Sequence, residues 1–153
     1  MESKYHLWTR RDLSLVGKIL IAKTMGISNL IYSLSITDCD TTILTSIQRK
    51  TNNFIWNYKP HNIKHGVLSL PKSEHGLKSP DISKFQISLR LAWLARLLQK
   101  RKWQTIFDYY MRKVGGIHFL LQCNFSVNTL PYILTFYRTM LNWFKKEFCV
   151  KSA

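Results

Sequence analysis

The sequence predicts a mainly α-helical fold, a compact bundle of about five helices, because apolar residues recur at steps of three and four along most of the chain. The 153 residues include only six Gly and four Pro, which disfavours a turn-rich β sandwich. An apolar fraction of 46% and an aromatic fraction of 13% describe a chain that folds around a core.

The first helical signal is DLSLVGKILIAKT at residues 12–24, with Leu15, Ile19 and Ala22 on one face and Leu13 and Leu20 flanking it. Asp12 or Ser14 can cap its start, and Gly26 is a natural stop. ISNLIYSLS then resumes as a second short apolar helix or an extended segment. TDCDTT reads as a polar turn, with Asp40 or Thr41 capping a helix over Thr42 to Asn57. That helix carries Ile43, Ile47, Thr51, Phe54 and Tyr58 on one stripe, widened by Leu44 and Ile55, with Trp56 at the edge. Pro60 forbids its continuation, having no N–H to donate.

Residues 66–82 are short and punctuated, and predict a small β-hairpin near residues 66–81 or a structured loop. Pro80-Asp81 opens the next helix, capped by Asp81 or Ser83. It runs from Ile82 to Lys100, with Phe85, Leu89, Ala92, Trp93, Arg96 and Leu97 at helical spacing. WQTIFDYYMRK predicts a further short helix that Gly115-Gly116 breaks. Residues 117–128 read as loop. Residues 129–149 form a clean stripe of Leu130, Leu134, Tyr137, Leu141, Phe144 and Phe148, widened by Ile133 and Met140.

Charge is the strongest global signal, 23 Lys and Arg against 8 Asp and Glu for a net +15. Residues 61–113 hold eleven of those cations and three of the acids, a net +8. Such an excess predicts attraction to a polyanion, nucleic acid before acidic protein or anionic lipid. The three cysteines, Cys39, Cys123 and Cys149, are far apart and form no CxxC pair, which fits a reducing intracellular compartment, cytoplasmic or nuclear. MESKYHLWTRRD lacks the apolar core of a signal peptide. Lys18 and Lys23 interrupt the apolar run at 13–36, so no membrane partner is expected.

The catalytic inventory is thin. Asp38 and Asp40 could share a divalent ion, but Asp before a helix is favoured as a cap. His61, His65 and His75 lie close in sequence without a recognisable metal spacing or fourth ligand. GxSxG, HExxH, GxxxxGK[ST] and GxGxxG do not occur. Aromatic residues beside basic ones remain. Lys and Arg can hold phosphates while Trp stacks on bases, and Trp56 and Trp103, next to basic loops, are the candidates. Trp93 lies inside an apolar stripe and reads as core.

The order of these pieces resembles a known family. Trp8, LSLVGKILIAKT at 13–24, SNLIY at 28–32, NNFIWN at 52–57, IKHGVLSLPKSEHGLKSPD at 63–81 and LRLAWLARLL at 89–98 come in series. Together they resemble the segment just after the palm in non-LTR (LINE-type) retrotransposon reverse transcriptases. The family pattern is W, LS-x-x-G[KR], S-x-[LIV]-x-Y, F[IL]W, GGL-x-x-PD and W-x-x-RL. Two departures stand out: the double glycine is His75-Gly76 here, and the GLGLPD-like ending is Gly76-Leu77-Lys78-Ser79-Pro80-Asp81, which drops a small residue.

The resemblance implies that residues 1–113 are a thumb-like, mostly helical region that holds a template–primer duplex. Residues 114–153, a loop plus an amphipathic helix, match nothing in the family. Its polymerases hold Mg²⁺ through a [YF]-x-D-D turn of the palm, and no such tetrapeptide occurs here. The chain alone is therefore expected to be catalytically incomplete and to bring no cofactor of its own. Its implied partners are RNA or DNA, through backbone phosphates, and the missing palm and fingers. Candidate phosphate contacts are Lys18, Lys23, Lys59, Lys64, Lys72, Arg90, Arg96, Lys100, Arg101 and Lys102. The alternative is a stand-alone basic helical nucleic-acid-binding protein without enzymatic activity.

Overall fold

A computed structural model describes residues 2–99, 104–123, 126–130 and 133–149. The fold is mainly α, and no strand occurs among the described residues. Packing divides the chain into two compact units, Met1–Gln86 and Ile87–Ala153, each with its own apolar core. This division falls earlier in the chain than the one at 113/114 that the resemblance implies.

In the first unit, helix α1 (Glu2–Thr9) lays the Tyr5 ring on Phe54, with centroids 4.3 Å apart and planes 6° from parallel. Helix α2 (Leu15–Ile21) starts at Ser14, whose Oγ accepts from the Gly17 N–H at 3.2 Å. The chain does not stop at Gly26. It winds through a π turn, Ala22–Gly26, and a 3₁₀ turn, Ile27–Leu30, into α3 (Ile31–Ile36). Gly26 keeps helical dihedrals and serves close approach, since a Cβ there would fall 1.9 Å from Tyr5 Oη. Ile19, Ala22, Ile27 and Leu34 face inward, while Val16, Leu20, Ile31, Tyr32 and Ile36 are exposed. By length and apolar content Leu15–Ile36 could cross a membrane, and 28% of its most apolar window is buried.

Helix α4 (Thr41–Ile55) is capped by Asp40, which accepts from the Thr41 N–H at 2.7 Å. Its buried face is Leu44, Thr51, Phe54 and Ile55, rotated away from Ile43, which is exposed. This face packs on α1, α2 and the π turn, and closes the core of Tyr5, Ile19, Ala22, Phe54, Ile55 and Leu68.

The segment expected as a small β-hairpin or a structured loop holds a short helix, α5 (His65–Ser69), followed by a 3₁₀ turn, Lys72–Glu74. The chain then doubles back: Leu77 and Ser79 donate to the Leu68 carbonyl at 3.1 and 3.0 Å, and Lys78 donates to Leu70 at 2.9 Å. Positive φ at His75 and Lys78 bends the backbone out of any pleat, so the antiparallel contacts never become a ladder. Helix α6 (Ile82–Leu98) follows. Its buried positions are Ile82, Gln86, Arg90, Leu94 and Leu97, one place on from the expected Phe85–Leu89–Trp93 stripe. The unit boundary falls after Gln86, within this helix.

The second unit holds α7 (Gln104–Arg112), α8 (Gly116–Gln122) and α9 (Thr135–Phe144). Gly115 and Gly116 separate α7 from α8 at φ of 87° and 86°, a region glycine enters without steric cost. Residues 117–128, expected as loop, contain α8, whose Ile117 and Leu120 are buried; the repeat is too short to register as periodicity. Helix α9 begins at Thr135 and not at 129, and its inward centre is Met140 and Leu141. Leu134 and Phe148, expected on the apolar stripe, are exposed. The core gathers Leu94, Leu97, Phe107, Met111, Ile117, Leu120, Val127, Ile133, Met140 and Leu141.

Candidate nucleic-acid interface

The end of α4 builds the aromatic part of the candidate surface. The Asn57 N–H donates to Phe54 O at 3.2 Å and the Tyr58 N–H to Asn53 O at 2.8 Å. These are the two bonds of a Schellman stop, which satisfies carbonyls that the helix leaves open. Asn57 and Tyr58 both take positive φ, 50° and 59°. Trp56 is half-buried against the core and stacks on His61, with centroids 5.9 Å apart and planes 26° from parallel. Tyr58 is 73% exposed, and Lys59, His61 and Lys64 around it are exposed as well.

A second group forms where the doubled-back segment meets the π turn. Burial, followed by the like charges of Lys78 and Lys72, pushes the Lys23 ammonium below its ordinary pKa. Lys23 and Lys72 were expected from sequence as separate contacts. The fold brings them together and adds Lys78, an exposed lysine that composition alone did not single out. An anion placed beside them would offset the repulsion that Lys23 meets from Lys78 and Lys72.

The same segment is held by Gln48. Its Oε1 accepts from the Ile82 N–H at 2.9 Å, and its Nε2 donates to Pro80 O at 3.2 Å and to Asn52 Oδ1 at 3.0 Å. Asp81 caps α6 by accepting from the Lys84 N–H at 3.1 Å. His65 is half-buried, and both its ring nitrogens are shielded from solvent with no hydrogen-bond partner. Burial lowers its pKa; Asp81 pulls the other way, while His61 and Lys84 add to the lowering.

Two expected contacts belong to residues that are buried as a whole. Arg90 is 1% exposed, its guanidinium carbon 4.4 Å from the centre of the Phe136 ring, and it sits in the middle of the buried stripe of α6. Lys18 is 8% exposed, one turn before Ala22 on the inward face of α2. Placed so, Arg90 does not present its charge to an approaching phosphate, which corrects the sequence expectation for it; the Lys18 stem is buried, but its ammonium is not among the atoms shut off from solvent. Arg96 is exposed and lies over Trp93 at 5.5 Å. Lys100, Arg101, Lys102 and Trp103 fall outside the described residues.

The Asp40 carboxylate is engaged by the Thr41 N–H and by the hydroxyls of Thr42 (2.7 Å) and Thr41 (3.3 Å), bonds that hold its pKa low, Thr42 foremost. Among the described residues no three His, Cys, Asp or Glu side chains gather as metal ligands.

No known protein family, curated protein or solved structure matches the chain. The arrangement that remains is chemical: an exposed aromatic turn and a lysine cluster, both suited to a polyanion that carries flat rings.

Proposed function

We propose that this chain is the thumb-like region of a LINE-type reverse transcriptase, catalytically incomplete by itself, which holds a template–primer duplex by its backbone phosphates. The observation that carries the reading is the backbone at the two places where the sequence departs from the family pattern. His75 stands at the first position of the double glycine, and Lys78 where the GLGLPD-like ending has its next glycine. Both lie in the left-handed region, at φ of 60° and 53°, where glycine is favoured. Between them Gly76 has no room for a side chain, because a Cβ would fall 2.0 Å from Leu70 O. A chain that diverged from a Gly-Gly-x-Gly ancestor would keep this geometry after losing two of the glycines.

Two further features support the reading. The exposed lysines and the Arg96 side chain suit backbone contacts, which need charge and little base recognition. The outward apolar face of Leu15–Ile36, with Val16, Leu20, Ile31, Tyr32 and Ile36, suits a partner surface such as the palm and fingers. Magnesium chemistry belongs to that palm, and the protein would act inside the cell, in cytoplasm or nucleus.

Translating the genomic DNA upstream of the Met1 codon in all frames tests the proposal. A palm remnant containing [YF]-x-D-D is expected. Its absence, with duplex binding retained, would replace this reading by a stand-alone binder.

A further inference from the structure

The turn that ends α4 is an unusual use of an aromatic residue. A Schellman stop needs positive φ at its first residue past the helix, and Asn57 takes that place at little cost. The next residue commonly packs its apolar side chain back on the last helical turn. Here that residue is Tyr58, and its helix-side counterpart is the polar Asn53. Tyr58 is instead turned largely outward: it is 73% exposed, and among the described residues its ring pairs with no other ring. It is also held at φ 59°, where a bulky side chain is a genuine outlier. Folding alone gains nothing from a strained, outward tyrosine, and such strain clusters at binding sites.

Its surroundings indicate what the ring meets. Trp56, two residues earlier, is anchored in the core and stacked on His61, so the base of the turn is rigid and aromatic. Lys59 and Lys64 are exposed on the same segment. From Thr41 to Ser73 the sequence has no Asp or Glu, so no acid in this stretch repels a phosphate.

We propose that the turn at residues 56–61 is a stacking site for an unpaired nucleobase, with Tyr58 as the receiving ring and Lys59 and Lys64 holding the flanking phosphates. The site rests on the nucleic-acid reading above and deepens it: the strand bound here is single-stranded, next to the duplex that the lysines elsewhere hold.

Fluorescence anisotropy with a blunt RNA–DNA duplex, and with the same duplex carrying a short single-stranded extension, tests this. The wild type should prefer the extended form. Tyr58→Ala should lose about tenfold in affinity for the extended duplex and nothing for the blunt one. Tyr58→Phe should keep the preference, because the ring and not the hydroxyl does the stacking. Tyr58→Gly, which relaxes the backbone, should fold at least as well as wild type and still lose the preference. Equal loss on both duplexes, or an unchanged preference in Tyr58→Ala, overturns the stacking site and leaves the phosphate reading standing. A wild type that binds neither duplex at low salt overturns the phosphate reading and the stacking site with it.

Discussion

At the scale of single residues, the left-handed positions carry the most information. His75 and Lys78 are exposed, so their side chains return little for the backbone conformation they impose. Left-handed dihedrals cost an ordinary residue about 1–2 kcal/mol, and glycine's extra freedom when unfolded takes back part of the gain. His75→Gly and Lys78→Gly should therefore each raise stability, by up to about 1 kcal/mol. Gly76→Ala should lower it sharply, since the added Cβ meets the Leu70 carbonyl with no flexible atom to yield. Urea unfolding of the three variants checks this, and destabilisation by both glycine replacements would show that His75 and Lys78 make contacts worth more than the strain. Arg90 makes the opposite point. Its type and neighbours in sequence suggest a phosphate contact, yet its place on α6 puts it under Phe136.

At the scale of elements, the connector from α4 to α6 is fixed by side chains whose importance no local pattern announces. Gln48 lies mid-helix on α4 and reaches the turn at Pro80 and Ile82, more than thirty residues on. Gln48→Ala removes the acceptor of the Ile82 N–H and the donor to Pro80, which should cost about 1–3 kcal/mol in thermal or urea unfolding. A neutral result would mean that water replaces both bonds. His65 adds a pH dependence. Its pKa is depressed in the folded chain by burial, so the unfolded chain takes up a proton first. Stability is then fully present above the unfolded value near 6.5 and is lost as pH falls toward the depressed folded one. The melting temperature should fall on acidification through this window, and His65→Gln should flatten that fall. An unchanged pH profile in the variant would place the titration elsewhere.

At the scale of the whole molecule, the net charge of +15 sets the physics of any encounter with a polyanion. A chain that neutralises about five phosphates of a duplex should show a log–log dependence of affinity on salt with slope near −4 to −5. Replacing Lys23, Lys72 and Lys78 together by Gln should flatten that slope by about 2–3 and weaken binding without sequence preference. A slope that stays at the wild-type value would remove this cluster from the interface. The exposed apolar face of Leu15–Ile36 is a separate matter, because its affinity for a partner would hardly depend on salt.

The sequence by itself determined the helical class, the positions of α2, α4, α6 and α7 and the stop before Pro60; it offered Asp12 or Ser14 and Asp40 or Thr41 as caps, of which the structure uses Ser14 and Asp40. These follow from local spacing and from the hydrogen-bonding chemistry of single residues. It also determined the excess of positive charge, which needs no fold. Tertiary structure decided the rest. It decided between the hairpin and the structured loop that residues 66–81 allowed, giving α5 and a doubled-back segment, because backbone bends at His75 and Lys78 and the bracing by Gln48 are long-range or conformational facts. It gathered Lys23, Lys72 and Lys78, and it buried Arg90, since helical phase selects which cations face water. A difference of one position along a helix turns a side chain by about 100°, enough to move a charge from surface to core.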